Sequence, residues 1–405
     1  MLQSQVLKLV EGQLRRHHLP ISVELWNGKV VQLSDAPQLT IRVNRLQALL
    51  DLAKPNLGKL AASYVHRDLD FEGTTRDVLQ FGQTLADEDV REGTRLKPRF
   101  PWRKQARHSK HKSRNDIGYH YDVSNDFYAL WLDRHRVYSC GYFKTPDDTL
   151  DQAQEQKLDH LCRKLNLQAG ERLLDIGCGW GGLIFWAAEH YQVQATGITL
   201  SQGQFDYVRE QIAARGLQDS VTVELMDYRD VPETEAFDKI SSVGMFEHVG
   251  RNHLGAYFGK IFRLLKPGGL VMNHGITASA FDTEGLGSGI SDFIEDYVFP
   301  GGELVHVAEV IETLTRQGLE CWDAECLRPH YARTLWHWVD RLEAHADAAR
   351  DIVGEERYRV WQIYMAGSAH AFEHGWMSLF QVLAAKPLQN GTVPYPLTRE
   401  HLYRR

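Results

Sequence analysis

The sequence predicts an α/β fold, in which a doubly wound parallel sheet with helical additions follows a small α+β domain. Three observations lead to this prediction. A short apolar strand at 172–176 runs into a glycine turn and then into a helix. Strands and helices keep alternating to about residue 273, and an alternating apolar pattern around Asn27-Gly28 is typical of a hairpin. The chain has 405 residues, which is long enough for two domains.

The N-terminal region has the pattern of a small α+β domain over residues 1–90. The hairpin spans 21–33, a third strand follows at 39–43, and Asn44 is suited to cap the next helix. Further helical stretches run to about residue 85. No catalytic set of side chains is evident here, so we expect an accessory, substrate-docking domain.

A basic segment at 91–114 separates this region from the main domain at 115–405. It carries ten Lys or Arg residues and one Glu, whereas the whole chain has a net charge of −7. It is either a solvated linker or a patch for anionic lipid headgroups. Only Phe100 and Trp102 interleave with the basic residues, and no nucleic-acid motif accompanies them, so we expect no nucleic-acid partner.

The glycine turn follows the strand directly, with glycines at 177, 179 and 182. This layout brings backbone close to a bound nucleotide. A dinucleotide domain would use the same glycines, and an ordinary structural turn would also fit. Asp175 favours S-adenosylmethionine (SAM), since a carboxylate there attracts an amine and repels a diphosphate.

The alternating pattern places four more strands at 193–198, 221–225, 237–243 and 269–273, with helices at 204–215 and 254–265. A helix precedes the glycine strand at 149–165, and the tail from residue 304 is expected to be helical and rich in aromatic residues. Ligands bind beyond the carboxyl ends of such strands. The second strand ends without the acidic residue that usually binds a ribose, so Thr199, Ser201 and Gln204 are candidates for neutral hydrogen bonds. Tyr228 is a candidate to lie against adenine.

The expected cellular location rests on two kinds of segment that the sequence lacks. No apolar run reaches the ~20 residues that a membrane span needs. The first 18 residues are polar and have no signal-peptide core, so a cytoplasmic location is expected. The five cysteines form no CxxC pair, so we expect reduced, mostly buried thiols and neither a disulfide framework nor a metal site.

Four motifs in order resemble the cyclopropane-fatty-acyl-phospholipid synthases, relatives of the mycolic acid cyclopropane synthases and methyltransferases. They are DIGCGWGG at 175–182, TLSQ at 199–202, DYRD at 227–230 and VGMFEHVG at 243–250. The resemblance covers about residues 115–380. It implies a Rossmann-like SAM-methyltransferase domain that adds a methylene group across a cis double bond of an unsaturated phospholipid acyl chain.

The resemblance also implies the site residues. SAM is expected against Tyr138, Ser139, Asp175, Gly177, Cys178, Gly179, Trp180, Gly181, Thr199, Leu200, Ser201, Gln202, Gln204, Asp227, Tyr228 and Arg229. A bicarbonate ion, acting as general base, is expected among Glu247, His274, Tyr331 and the backbone around Cys140 and Ile276. The resemblance further implies a lipid-docking role for residues 1–90, a peripheral position at the inner membrane face and a homodimer.

Ser368 departs from the family pattern, which has cysteine there. Serine is far harder to ionise, so a thiolate role is lost. Either the position only lines the pocket, or the reaction has changed. The alternatives are therefore a lipid C-methyltransferase that gives methyl-branched or methylene chains, and a non-catalytic lipid-binding homologue.

Overall fold

The computed structural model describes residues 10–12, 14, 15, 20–53, 56–82, 84, 124–234, 236–281 and 303–403. The chain divides into two compact units. The first comprises Met1–Gln105, Thr283–Pro300 and Ala346–His370, and the second comprises Ala106–Asp282, Gly301–His345 and Ala371–Arg405. The basic segment 91–114 lies outside the described residues, so the predicted boundaries at 90 and 114 stay predictions.

The first unit is built on a four-stranded sheet with the order β2-β1-β3-β4. Its strands are β1 Ile21–Leu25, β2 Val30–Gln32, β3 Leu39–Val43 and β4 Leu69–Glu72. The hairpin prediction is confirmed, because β1 pairs with β2 antiparallel and Gly28 has a φ of +79°. The third strand is also confirmed and lies parallel to β1.

Two helices follow β3 in this unit, α1 Leu46–Ala53 and α2 Leu57–Val65. The predicted cap of α1 is wrong: Asn44 lies two residues before Leu46, and its side-chain amide donates to the Arg67 carbonyl at 3.0 Å instead. A distant part of the sequence completes the unit. Arg359 donates to the Tyr64 carbonyl and to Asp70, both at 3.0 Å, and the Tyr64 hydroxyl donates to Gln362.

The second unit contains a seven-stranded sheet with the order β10-β11-β9-β8-β5-β6-β7. The strands β5 to β9 are parallel, whereas β11 pairs antiparallel with both β9 and β10. The strands are β5 Arg172–Ile176, β6 Gln194–Thr199, β7 Val221–Leu225, β8 Phe237–Val243, β9 Leu265–Ala278, β10 Glu320–Cys326 and β11 Met377–Ala385.

Helices accompany these strands in the order that the sequence predicts, which confirms the α/β fold class. In the second unit they are α3 Asn125–Trp131, α4 Leu150–Lys164, α5 Gly182–Tyr191, α6 Gln202–Arg215, α7 Leu254–Leu264, α8 Val307–Arg316, α9 Arg328–Ala344 and α12 Glu400–Tyr403. The helix α10 Ala346–Val353 belongs to the first unit, as does α11 Glu355–Glu373 up to His370. Thr149 caps α4 as part of a capping box with Gln152. Neighbouring residues on β5 point to opposite faces, so Leu173 and Leu174 pack in two different apolar cores.

The prediction of a wholly helical tail is wrong at two places. β10 and β11 interrupt the helices, and β11 is an interior strand of the sheet, paired with β9 along nine residues from Met377–Ala278 to Ala385–Leu270. β9 lies about a hundred residues before β11 in the chain, so the local sequence pattern around β11 does not predict this pairing. Within the described ranges, no helix is long and apolar enough to cross a membrane.

Candidate active site

A cavity of about 380 Å³ opens in the second unit beside the carboxyl ends of β5, β6 and β8. Thirteen of the residues proposed for SAM line it, and they come from four separate stretches of sequence. They are Tyr138, Ser139, Asp175, Gly177, Cys178, Gly179, Trp180, Thr199, Leu200, Gln204, Asp227, Tyr228 and Arg229. The parallel strands bring three of these stretches together, because their carboxyl ends meet at one edge of the sheet, and the fourth is the loop between α3 and α4.

The glycine turn has the backbone that only glycine adopts at low cost. Gly177, Gly179 and Gly181 have φ values of +81°, +55° and +85°. A Cβ on Gly181 would lie 2.6 Å from the Phe185 ring. Gly181 lies at the start of α5 rather than in the cavity lining, and its missing side chain leaves room for the Phe185 ring of the same helix.

Asp175 ends β5 beneath this turn and is 3% exposed. It accepts a hydrogen bond from the Ser241 hydroxyl at 2.6 Å. Burial raises the pKa of Asp175 to about 6, although the Ser241 hydrogen bond and the nearby Lys157 favour the charged form. A buried carboxylate that lines the cavity is suited to hold a cationic group.

The end of β6 carries a set of neutral polar side chains. The Thr199 hydroxyl donates to the Gln204 side-chain oxygen at 2.7 Å. The Ser201 hydroxyl accepts from the Gln204 backbone amide at 3.3 Å. Ser201 thereby caps α6, and the exposed Gln202 donates to Asp206. Thr199 and Gln204 line the cavity, whereas Ser201 and Gln202 are not in its lining.

The turn after β7 supplies one wall. Arg229 forms a two-point ion pair with Asp227, with N–O distances of 2.8 and 2.5 Å. The Tyr228 ring packs edge-on against Tyr257, with ring centres 5.4 Å apart. The wall therefore holds a fixed aromatic ring beside a neutralised charge pair.

The loop between α3 and α4 supplies the opposite wall through Tyr138 and Ser139. Asp133 accepts from the backbone amides of His135 and Val137, both at 2.8 Å, and Gln154 donates to the Ser139 carbonyl at 2.8 Å. This loop is therefore fixed by hydrogen bonds along its length.

Aromatic rings extend from this loop into the interior. Tyr138 contacts Trp338 with ring centres 5.2 Å apart, and Trp338 contacts Tyr331 edge-on at 6.1 Å. Tyr331 in turn contacts Phe372 at 4.8 Å. A continuous aromatic surface thus joins a residue of the cavity lining to a residue proposed for bicarbonate.

Glu247 and His274 lie near the carboxyl ends of β8 and β9, outside the cavity lining. Glu247 follows β8 in a 3₁₀ turn, Phe246–His248, and its Oε1 accepts from the Ile276 backbone amide at 2.7 Å. The Ile276 amide is therefore already bound by Glu247. His274 lies two residues earlier on the same strand, is 1% exposed, and receives a hydrogen bond on Nδ1 from Gln381 at 3.1 Å.

In the described part of the chain, one polar atom of Glu247 and one of His274 have no hydrogen-bond partner. These atoms, Glu247 Oε2 and His274 Nε2, are both buried. Burial raises the pKa of Glu247 to about 7 and lowers that of His274 well below its usual value, so the imidazole is neutral. Because Nδ1 accepts from Gln381, the ring proton lies on Nε2, which is a buried donor.

Two other residues proposed for bicarbonate lie in the same unit. Cys140 is fully buried, and burial raises the pKa of its thiol far above the usual range, so the thiol is inert. Tyr331 lies on the first turn of α9, which begins just after Leu327, whose carbonyl the Cys140 thiol approaches at 3.8 Å. Ser368 is buried on α11, in the stretch assigned to the first unit.

Sequence reasoning missed two polar residues of this region. Gln381 sets the His274 tautomer, but its position depends on the unpredicted strand β11. Lys157 lines the cavity from α4 and is 2% exposed. A signal for Lys157 was available, since it falls at helical spacing on the buried face that carries Ala153, Leu158 and Leu161.

The comparisons with known proteins identify the family of the chain. The family described as mycolic acid cyclopropane synthetase matches residues 108–382, and a domain of unknown function, DUF7884, matches residues 13–92. A relative from Pseudomonas putida, "Probable fatty acid methyltransferase", is 45% identical over 391 residues, which cover 96% of this chain and 98% of that protein.

Two solved structures are similar to the second part of the chain. The cyclopropane synthase MmaA2 from Mycobacterium tuberculosis is 34% identical and has a TM-score of 0.65. The mycolic acid cyclopropane synthase CmaA1, complexed with SAH and CTAB, is 35% identical and has a TM-score of 0.64. Each match covers 67% of this chain and 98% of the other.

The fold, the glycine turn and the family match therefore lead to one conclusion. The chain belongs to the mycolic acid cyclopropane synthetase family and is a methyltransferase that uses SAM.

Proposed function

We propose that this enzyme transfers a methylene group from SAM to the cis double bond of unsaturated phospholipid acyl chains and so forms cyclopropane fatty acids. The observation that carries this proposal is the pair of unpartnered buried atoms, Glu247 Oε2 and His274 Nε2, in the same unit as the SAM cavity and its aromatic wall. Relatives named for fatty acids and mycolic acids support a lipid substrate.

An alkene is a weak nucleophile, and bound SAM would supply the strong electrophile, its sulfonium methyl group. The protein must hold the two in line and keep water out. Tyr138 and Trp180 both line the cavity and both contact Tyr128, with ring centres 5.7 and 4.7 Å away. These packed rings give the methyl-donor site a fixed, dry wall.

Methyl transfer to the alkene leaves a carbocation on the acyl chain. The aromatic surface that runs through Tyr138, Trp338, Tyr331 and Phe372 is suited to stabilise it, because ring faces attract cations without forming bonds to them. This is an interior of the kind the reaction needs, since nucleophilic groups would be alkylated.

Ring closure requires loss of a proton from the new methyl group. The donor set fits bicarbonate: His274 Nε2–H is a buried donor, and Glu247 Oε2 is an acceptor for a hydroxyl. With a pKa of about 7, Glu247 also holds or releases a proton near neutral pH. Bound bicarbonate would supply the base, with Tyr331 and the backbone at Cys140 proposed as its further contacts. The Ile276 amide, which the resemblance also implies as a contact, is instead occupied by Glu247.

The proposal is tested by S-adenosylhomocysteine release from SAM in the presence of phospholipid vesicles. Dioleoyl lipid should support release, whereas dipalmitoyl lipid, which has no double bond, should not. Depletion of bicarbonate should lower the rate and its return should restore it. Equal release with both lipids would contradict the proposal.

A second candidate is a lipid C-methyltransferase that yields methyl-branched or methylene chains. Ser368 in place of the family cysteine favours it, as does the 45% identical relative, which is named a fatty acid methyltransferase. A cyclopropane chain and a methylene-bearing or methylated alkene chain have equal mass, so the upfield ring protons of a cyclopropane in a proton NMR spectrum separate them.

Membrane contact and assembly complete the proposal. We place the enzyme as a peripheral protein at the inner membrane face, with the basic segment 91–114 against anionic headgroups and residues 1–90 as a lipid-docking domain. A homodimer is proposed from the family resemblance.

A further inference from the structure

Lys157 is a buried ammonium whose role the reaction outlined above leaves open. It lies on α4, is 2% exposed and lines the SAM cavity. A buried lysine without a full set of partners is costly, so a protein keeps one where its charge is used. Burial lowers the pKa of Lys157 to about 8.

The contacts of Lys157 point to Ser139. Lys157 Nζ lies 3.0 Å from Ser139 Oγ, which is the one acceptor it reaches among the described residues. An ammonium has only donors, so Ser139 Oγ must accept this hydrogen bond. The Ser139 hydroxyl proton is then free to be donated to a second acceptor, and Ser139 also lines the cavity.

The backbone of Ser139 is held by the same helix. Gln154, three residues before Lys157 on α4, donates to the Ser139 carbonyl at 2.8 Å. Residues three apart lie on one helix face, so a single face of α4 orients both the carbonyl and the hydroxyl of Ser139. The free donor therefore has a defined direction.

The surrounding charges complement the amino-acid end of SAM. Lys157 interacts electrostatically with two buried carboxylates, Asp133 and Asp175. Asp175 lines the cavity and suits the amino group of the ligand, whereas Asp133 is turned to backbone amides. The remaining charge on that end of SAM is its carboxylate, which needs donors and a nearby cation.

We propose that Lys157 is a positioning residue that recognises the α-carboxylate of SAM through the Ser139 hydroxyl. The inference rests on the proposed placement of SAM in this cavity. It assigns the carboxylate to the Ser139 side of the cavity and the amino group to the Asp175 side.

Calorimetric binding of two ligands to the full chain tests the inference. One ligand is SAM, and the other is decarboxylated SAM, which keeps the sulfonium and the amine. Lys157→Met should weaken SAM binding about 10- to 100-fold, the range for a hydrogen bond to a charged group, and should leave decarboxylated SAM unchanged. Ser139→Ala should show the same selective loss, and the double variant should lose little more than either single variant.

Lys239→Met is the matched control. Lys239 is also a buried lysine, but it lies on β8 outside the cavity lining and is paired with Glu171 at 3.6 Å. Its replacement should leave the affinity for both ligands unchanged. Equal loss of both ligands in Lys157→Met would make Lys157 a structural residue and overturn the inference, as would no loss of either. If the wild-type chain binds neither ligand, the placement of SAM itself is wrong.

Discussion

The Glu247 carboxylate and the Ile276 amide are joined by a hydrogen bond of 2.7 Å, which uses only one carboxylate oxygen. The other oxygen is buried without a partner in the described part of the chain, and burial raises the pKa of the group to about 7. A group whose folded pKa lies above its unfolded value costs the folded state stability as pH rises through that interval.

Glu247→Gln should therefore be more stable than the wild type at pH 8, by on the order of 1–3 kcal/mol, in buffer without bicarbonate. The difference should shrink as the pH falls toward 4.5, because the wild-type carboxyl is then protonated in the folded state and increasingly protonated in the unfolded state. Urea unfolding at pH 8 and pH 5 measures it. The same variant should lose methyl transfer. A less stable variant at pH 8 would show that this carboxylate is well solvated or paired.

His274 and Gln381 form a second test of the same region. His274→Ala should lower the turnover number about 100- to 10,000-fold, because it removes the Nε2–H donor proposed to hold the bicarbonate base, with SAM affinity unchanged. Gln381→Leu should lower the turnover number less. This substitution removes only the 3.1 Å hydrogen bond from Gln381 to His274 Nδ1, which fixes the tautomer of that ring. Turnover and SAM binding are measured separately. If Gln381→Leu lowered turnover more than His274→Ala, the supporting role assigned to Gln381 would be contradicted.

A substitution at Gly275 tests how closely the turn that carries Glu247 packs against β9. A Cβ at Gly275 would lie 2.1 Å from the Phe246 ring and 3.0 Å from Glu247 Oε1. Gly275→Ala should displace this turn, cost about 1–3 kcal/mol of stability and lower activity. Gly255→Ala is the control, since a Cβ at Gly255 would lie 3.7 Å from the Gln317 side chain and alanine favours a helix. Thermal melts and activity assays compare the two, and equal behaviour would show that the turn is free to adjust.

The basic segment gives a prediction about membranes. Replacing five of its residues with Gln should weaken binding to anionic vesicles, by roughly 1 kcal/mol per charge at low salt, with little effect on neutral vesicles. The five are Arg103, Lys104, Arg107, Lys110 and Lys112.

A charge-matched pair provides the control for this experiment. Lys110→Gln with Lys112→Gln should weaken sedimentation with the vesicles, whereas Arg209→Gln with Arg316→Gln, two exposed arginines of the second unit, should not. Equal loss in both double variants would mean that net charge, and no particular segment, drives binding.

Local chemistry made much of the fold predictable. The Thr149 cap, the glycine turn after β5 and the Asn27-Gly28 hairpin each depend on a few neighbouring residues, and all three occur in the structure. Asn44 misled because its side-chain NH2 group donates to the Arg67 carbonyl, which lies close to it only in the folded unit.

The site was predictable where it follows the strand ends, and less so elsewhere. β11 was not predicted because its partner β9 is distant in sequence. The Gln381–His274 contact depends on β11 and was therefore not predicted either. Lys157 was missed although its helical spacing places it on the buried face of α4, because a lysine on a helix is usually solvated. Its contact with Ser139 depends on the tertiary structure.

Identification of the product tests the central claim most directly. The purified enzyme is incubated with SAM labelled with ¹³C at the methyl group, bicarbonate and dioleoyl phospholipid vesicles, and the lipid is examined by NMR. The account predicts that the label appears in a cyclopropane CH₂ group, with its protons at high field. Label in a methyl or exocyclic methylene group, or none in the lipid, would contradict it.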